Sequence, residues 1–247
     1  MNWFQVVVMH LVLLLLMGSL FLCRGGVLIG IQTSDAVLLS STSSFTSHDV
    51  VMTTNYPWIH SFSSPYLGHN AIGTLVGLHG DPADCDLVLE EIKKETMYFE
   101  LAFRICLSTH AIAHLCRKVI SNNLRSRQLA VNALIAGRED IDDVDIGSSS
   151  KTNPVLYYVD SIGAIQKVPY ACHGSEFISI LSYLDRKNNI DGQEEQGAIQ
   201  KLSVEEGIKL IQDCWTAVRK RSSNRLDLSK CKVIGITAEG ASNYGLL

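Results

Sequence analysis

Two short apolar runs near the start of the chain give the clearest strand pattern. Val27–Gln32 and residues 36–41 carry Val, Ile or Leu at most positions, and the polar residues Thr33, Ser34 and Asp35 separate them. Unbroken apolar character predicts strands that are covered on both faces, and the polar triplet predicts a tight turn. We therefore expect a β-hairpin buried inside a sandwich of sheets.

Four other segments have the spacing of amphipathic helices. They cover residues 82–103, 109–121 and 175–186 and a stretch that opens at Ser203. Asp81 and Pro82 have the properties of a helix cap and a first helical residue, and Ser175 is predicted to cap the third helix. Ser203 and Glu206 have the spacing of a capping box.

The apolar side chains of these helices are assigned to core-facing sides. On this assignment Phe99 of the first helix and Phe177 and Ile178 of the third pack against a sheet.

Strands and helix pairs alternate along the chain. Further strands are predicted at 50–53, 58–62, 71–78, 128–137, 155–160, 164–168 and 233–237. Because helices come in pairs, a parallel βαβ sheet is disfavoured. The pattern favours an α+β fold in which two sheets are covered by helix pairs.

Two polar stretches, 138–153 and 188–202, interrupt this pattern and are predicted to be solvated loops. The first contains four Asp and one Glu. Its carboxylates lack the spacing of a calcium-binding helix–loop–helix, so we expect no calcium site there.

The first 25 residues differ from the rest of the chain. No charged residue precedes Arg24, and the apolar run before it is long enough to span a bilayer. A cleaved secretory signal, a membrane anchor and a misassigned start remain open. We favour the last, with residues 1–25 an extension and 26–247 one domain, and we expect no membrane attachment.

Composition restricts the function classes. Asp and Glu number 25 against 21 Lys and Arg, so no basic footprint for nucleic acid is present. The seven cysteines are scattered singly, without a C-x-x-C pair. This pattern favours free thiols in a reducing compartment over a disulfide framework.

Two local motifs raise the question of a site. His110 and His114 lie four residues apart on a predicted helix, but nothing nearby completes the three or four ligands of a zinc site. The fragment 173–175, HGS, lacks the G-x-S-x-G pattern of a serine-hydrolase elbow. We therefore expect no metal, no cofactor and no serine nucleophile.

Five fragments taken together resemble proteasome β subunits, and among them the eukaryotic beta type-2 class. They are VLIGIQ at 27–32, GLHGDPAD at 77–84, LRSR at 124–127 followed by LIAG at 134–137, the run from Pro154 to Gly174, and SYLDR at 182–186. The resemblance extends from Gly26 to about Ala238. It weakens in the hydrophobic N-terminus, in 42–64 and in the two polar loops.

The resemblance implies a four-layer αββα sandwich of two antiparallel sheets between helix pairs, the fold of N-terminal-nucleophile hydrolases. Active members use an N-terminal threonine as nucleophile and its amine as base, with an aspartate and a lysine beside it. Alignment through VLIGIQ places these three positions at Gly26, Thr42 and Trp58. A hydroxyl attacks only when a positioned base takes its proton. Gly26 has no side chain to attack with, Thr42 cannot carry the negative charge of the aspartate, and Trp58 cannot carry the positive charge of the lysine.

We therefore expect a non-catalytic β subunit of the 20S core particle in the cytoplasm and nucleus. The resemblance implies contacts with other β subunits in its own ring and across the ring interface, and with α-ring subunits. The alternative is an N-terminal-nucleophile amidohydrolase or peptidase that uses Cys23 after loss of Leu22. Cys23 precedes the nucleophile position by three residues and lacks the partners, so we favour the structural role.

Overall fold

The computed structural model describes residues 24–47, 50–63, 73–104, 106–140, 152–189, 197–221, 231–238 and 240–246. The strands are β1 Arg24–Gly25, β2 Val27–Gln32, β3 Val37–Ser41, β4 Phe45–Ser47, β5 Val50–Thr53, β6 Ile59–Phe62, β7 Thr74–Gly80, β8 Val131–Asp140, β9 Thr152–Val159, β10 Ile165–Lys167, β11 Tyr170–Gly174, β12 Lys232–Thr237 and β13 Gly240–Leu246. The α-helices are α1 Pro82–Phe103, α2 Thr109–Asn123, α3 Phe177–Asn188 and α4 Val204–Arg221, and a 3₁₀ turn covers Ile199–Lys201.

The predicted hairpin is the centre of one five-stranded sheet. β2 and β3 pair antiparallel with Leu28 opposite Ser41 and Ile31 opposite Leu38, and the Thr33 N–H closes the turn onto the Ala36 carbonyl at 2.8 Å. The sheet order is β11-β2-β3-β12-β13. Both central strands are buried almost throughout, which confirms that the hairpin lies inside a sandwich.

A second five-stranded antiparallel sheet has the order β10-β9-β8-β7-β6. A small sheet of β1, β4 and β5 lies at the start of the domain.

Three apolar layers separate four layers of secondary structure. Leu28 and Leu39 of one sheet pack against Leu134 and Leu156 of the other, between the sheets. A second cluster joins α1 and α2 to the outer face of the β7–β8–β9 sheet, and a third joins α3 and α4 to the outer face of the β2–β3 sheet. The predicted α+β, αββα sandwich is therefore confirmed.

Polar side chains cap three of the four helix starts, and two of these caps, at Asp81 and Ser203, are as predicted. Asp81 accepts a hydrogen bond from the Ala83 N–H at 3.1 Å at the start of α1, and Pro82 is the first helical residue. At the start of α4 the Ser203 N–H donates to Glu206 Oε2 at 2.9 Å, and the Glu206 N–H donates to Ser203 Oγ at 3.3 Å. This reciprocal pair is the predicted capping box.

Ser108 caps α2 in the same way, through a 3.2 Å hydrogen bond from the Ala111 N–H. The predicted cap of the third helix is wrong. α3 begins at Phe177, and its N-cap residue Glu176 makes no capping hydrogen bond through its side chain.

We expected the whole acidic stretch 138–153 to be a loop, but both of its ends belong to strands. β8 continues to Asp140 and β9 begins at Thr152, because the two strands pair from Ala133 opposite Val159 to Asp140 opposite Thr152. The Arg138 guanidinium strengthens this end of the hairpin by donating to Thr152 Oγ1 at 2.7 Å. Residues 141–151 lie outside the described residues.

The second predicted loop, 188–202, is also partly structured. Asn188 ends α3, and the 3₁₀ turn Ile199–Lys201 buries Ile199. Residues 190–196 lie outside the described residues.

Three large side chains that we assigned to the core are exposed. Phe99 on α1 is 37% exposed, and Phe177 and Ile178 on α3 are 42% and 67% exposed. The helix stripes that face the sheets are instead made by residues such as Ile92 and Ile180. Each helix pair therefore keeps some apolar side chains in contact with solvent.

Within the described ranges, no helix is both long enough and apolar enough to cross a bilayer. Residues 1–23, including Cys23, lie outside these ranges, and the boundary at residue 25 stays a prediction.

Candidate functional site

The first of the three aligned positions, Gly26, lies buried between β1 and β2. Its φ is +132°, a conformation that side chains strain to adopt. A β-carbon added to Gly26 would lie 3.3 Å from both Trp58 Cζ2 and His79 Nε2. The backbone and its surroundings therefore both disfavour any side chain here, and a nucleophile on this residue would need the neighbours to move.

Thr42, the second position, lies next to the first through the backbone of Val27. The Val27 N–H donates to Thr42 Oγ1 at 3.1 Å, and the Thr42 N–H donates to the Val27 carbonyl at 3.1 Å. Thr42 is fully buried. Its hydroxyl therefore holds the start of β2 in place, and it carries no charge that would tune an adjacent nucleophile.

Trp58, the third position, fills the space in front of Gly26. Its side chain is only 1% exposed, and its ring stacks on His79 with centroids 5.1 Å apart and planes 26° apart. Tyr56 meets the indole edge to face at 4.5 Å. The structure thus brings the three aligned positions together, and the third supplies an aromatic plug where active relatives are expected to carry an ammonium group.

Two histidines that no sequence motif connects with the site complete this cluster. His79 Nδ1 of β7 lies 3.1 Å from His173 Nδ1 of β11, so the contact joins one sheet to the other. Beyond it, the His173 ring stacks on Phe177 at 6.4 Å. We call the stack of Trp58, His79, His173 and Phe177 the aromatic ladder. It runs from the buried glycine to the exposed start of α3.

The electrostatics of the aromatic ladder favour neutral groups. Burial lowers the pKa of His173 to about 4, so the imidazole is uncharged at neutral pH. Burial raises the pKa of the neighbouring Cys172 thiol to about 12, which keeps this thiol protonated and unreactive. Trp58 Nε1 and Ser44 Oγ are buried and have no hydrogen-bond partner within the described ranges.

Asp84 is the buried carboxylate nearest in sequence to this region, and it has a structural role. It pairs with Arg127, and its Oδ2 accepts the Ala130 N–H at 2.9 Å. This arrangement ties the first turn of α1 to the segment that leads into β8. The carboxylate is therefore already committed to two donors.

The HGS fragment lies beside the aligned positions. Ser175 is exposed, and its N–H donates to the Gly26 carbonyl at 3.2 Å. This serine links the turn after β11 to the glycine through its backbone. This proximity depends on β11, which pairs with β2. The sequence of β11, YACHG, lacks the apolar run that indicates a strand, so the sequence does not predict the proximity.

The other candidate residues lie on other elements of the fold. His110 and His114 are exposed on α2, with ring centroids 4.3 Å apart. Across the described ranges, no group of three or more His, Cys, Asp or Glu side chains is placed to hold a metal ion. No disulfide joins the six cysteines in these ranges.

Comparison with known proteins identifies relatives. The family model described as "Proteasome subunit" matches residues 23–234. The chain is 30% identical over 142 residues to a protein from Dictyostelium discoideum named proteasome subunit beta type-2; the alignment covers 58% of this chain and 63% of the relative. A protein of the same name from Trypanosoma brucei brucei is 33% identical over 134 residues, 52% of this chain and 57% of the relative.

A longer alignment is to a relative that is named beta type-4 instead of beta type-2. A probable proteasome subunit beta type-4 from Schizosaccharomyces pombe is 27% identical over 208 residues, 84% of this chain and 93% of the relative. The alignments to the two beta type-2 relatives span less than two thirds of their lengths, whereas this one spans nearly all of the relative.

Proposed function

Because the chain belongs to the proteasome subunit family, we propose that it is a non-catalytic β subunit of the 20S core particle. The observation that carries this proposal is the aromatic plug: the Trp58 ring and His79 occupy the space that a side chain on Gly26 would need. The subunit supports protein degradation by holding its place in the particle while other subunits cleave the substrate.

The missing chemistry supports the same conclusion. Hydroxyl attack on a peptide carbonyl requires a nucleophile, a base to remove its proton and charges that position both. Gly26 supplies no side chain, Thr42 is uncharged, and Trp58 is an apolar ring in the position expected for a cation. Gly26 therefore lacks the nucleophile, and Thr42 and Trp58 lack the two charges, so reversing any one of the three differences is not enough.

Exposed apolar surface on both helix layers supports a role in assembly. Near its C-terminal end, α1 carries a group of exposed apolar side chains that we call the α1 patch. Its members are Met97, Tyr98, Phe99, Leu101 and Phe103. The rings of Tyr98, Phe99 and Phe103 contact one another, with centroids 5.5–6.2 Å apart. Clustered apolar surface of this kind marks a protein–protein interface.

The opposite helix layer carries Phe177 and Ile178 at the start of α3. A subunit with apolar surface on both outer layers is suited to neighbours above and below it. We therefore propose that one layer meets an α ring and the other meets the opposing β ring, with like subunits at the sides. Such obligate interfaces are large and apolar.

We propose the cytoplasm and nucleus as its location. No disulfide joins the six cysteines in the described ranges, and this supports the proposal because thiols persist in reducing compartments.

Incorporation into the particle tests the proposed function. The full chain with a C-terminal tag is expressed in cells of its source organism, and the lysate is separated on a native gel. We expect the tag to migrate in a particle far larger than one chain and to co-purify with other α and β proteasome subunits. Recovery as a monomer would overturn the proposal.

Two exposed positions on α1 provide a matched pair of variants. Leu101→Asp places a charge in the α1 patch, whereas Lys93→Asp places the same side chain at an exposed position of α1 outside the patch. We expect Leu101→Asp to lower incorporation strongly and Lys93→Asp to leave it nearly unchanged. Equal incorporation of both variants would exclude the α1 patch as an interface.

A further inference from the structure

His110 and His114 form a pair of imidazoles on the outer side of α2. Residues four positions apart on a helix lie on one face, one turn above the other. The two ring centroids are 4.3 Å apart, and the ring planes are 45° apart. Both residues are exposed. The pair is therefore close enough for one ion to contact a nitrogen of each ring.

The surroundings leave both rings accessible. Within the described ranges, neither imidazole takes part in a hydrogen bond, and the nearest aromatic neighbour is the Tyr157 ring, 6.0 Å from that of His110. Arg117, in the next turn, donates its Nε to the Gly163 carbonyl at 3.2 Å. This bond holds the guanidinium at the β9–β10 turn, from where its positive charge adds to the effects of burial and of His110 that lower the pKa of His114.

The nearby carboxylate of Glu139 is already occupied. Its Oε1 accepts the Tyr157 hydroxyl at 2.5 Å, and its Oε2 accepts Lys167 Nζ at 2.7 Å. Because both oxygens have partners, Glu139 is not free to act as a third ligand. The arrangement therefore offers two nitrogen ligands on a rigid helix and open positions toward solvent.

We propose that His110 and His114 chelate a divalent transition-metal ion of the group that favours imidazole, namely Ni²⁺, Cu²⁺ or Zn²⁺. Two histidines at this helical spacing are a known metal-binding arrangement, and water completes the coordination. The proposal departs from the expectation of no metal, which considered only a closed structural centre with four protein ligands and a catalytic centre with three. The site proposed here is an open surface chelate. This inference concerns the chain outside an assembled particle, because the helix layer that carries α2 is one of the two proposed above to meet a neighbouring ring.

Calorimetric titration of the untagged full chain with Ni²⁺ tests the inference. Ni²⁺ is the probe because it binds imidazole without oxidising the thiols. We expect one ion per chain. His110→Gln and His114→Gln should each weaken binding by on the order of a hundredfold, since the second ligand of a chelate acts at a high effective concentration.

A variant with the same number of histidines separates chelation from general imidazole binding. His114→Ala combined with Lys118→His places the two imidazoles eight residues apart on the same helix, too far apart to share an ion. We expect this double variant to bind Ni²⁺ as weakly as His114→Gln, with an unchanged circular dichroism spectrum. Wild-type affinity in either variant, or no binding of Ni²⁺ by the wild-type chain, would overturn the inference.

Discussion

Trp58 offers a direct test of the aromatic plug, because two substitutions at this position remove different parts of it. The side chain is 1% exposed and contacts Phe45, Tyr56 and His79, with ring centroids 6.2, 4.5 and 5.1 Å away. Trp58→Ala deletes the whole ring and leaves a cavity. We expect a loss of about 3–5 kcal/mol in the free energy of unfolding.

Trp58→Phe keeps most of the apolar contact and removes Nε1. This nitrogen is buried and has no hydrogen-bond partner within the described ranges, so its removal relieves a polar group whose burial costs about 1–3 kcal/mol. That gain offsets part of the lost volume. We therefore expect Trp58→Phe to change stability by about 1 kcal/mol or less, well below the alanine variant.

Urea unfolding at pH 7.5, followed by far-UV circular dichroism, measures both variants. The slope of the free energy against urea concentration should stay constant, so that the shift in midpoint reports stability alone. A phenylalanine variant as unstable as the alanine variant would show that Nε1 has a partner that matters. An alanine variant as stable as wild type would refute the argument that Trp58 packs the site.

Three further predictions concern the stability of other parts of the fold. Folding lowers the pKa of His173 from 6.5 to about 4, so the unfolded chain binds the proton more tightly than the folded chain. The free energy of unfolding should be highest above pH 6.5 and fall by about 3 kcal/mol as the pH drops toward 4. His173→Phe should reduce this pH dependence in urea titrations. Asp84→Ala should cost about 3 kcal/mol in urea unfolding, because it removes a buried carboxylate with two donors, and a near-neutral result would contradict that role. Ser203→Ala should lower the free energy of unfolding by about 1 kcal/mol, because it removes the capping box. Ser182 is exposed and outside any cap, so Ser182→Ala should leave the free energy of unfolding nearly unchanged.

Local patterns predicted most of the fold. The β2–β3 hairpin follows from unbroken apolar runs, and the start of α4 follows from the spacing of Ser203 and Glu206. In contrast, β11 and β13 have sequences rich in small and polar residues, YACHG and GASNYGL, and they are strands because neighbouring strands accept their hydrogen bonds. A pattern within one segment does not contain that information.

The site was predicted less completely than the fold. Alignment placed Gly26, Thr42 and Trp58 together, but the contact between His79 and His173 joins residues 94 positions apart on different sheets. No periodicity in the sequence indicates such a pair. Apolar helix residues were likewise assigned to the core because hydrophobicity alone does not distinguish an interface with another subunit from an internal contact, as Ile178 illustrates.

Covalent labelling of the mature N-terminus tests the absence of catalysis most directly. The assembled particle and the purified full chain are each incubated with a peptide electrophile that reacts with N-terminal threonine or cysteine, and the chain is analysed by mass spectrometry. An active β subunit from the same particle serves as the positive control. We expect the control to be labelled and this chain to carry no adduct; an adduct on Cys23 or on any residue at its mature N-terminus would contradict the account.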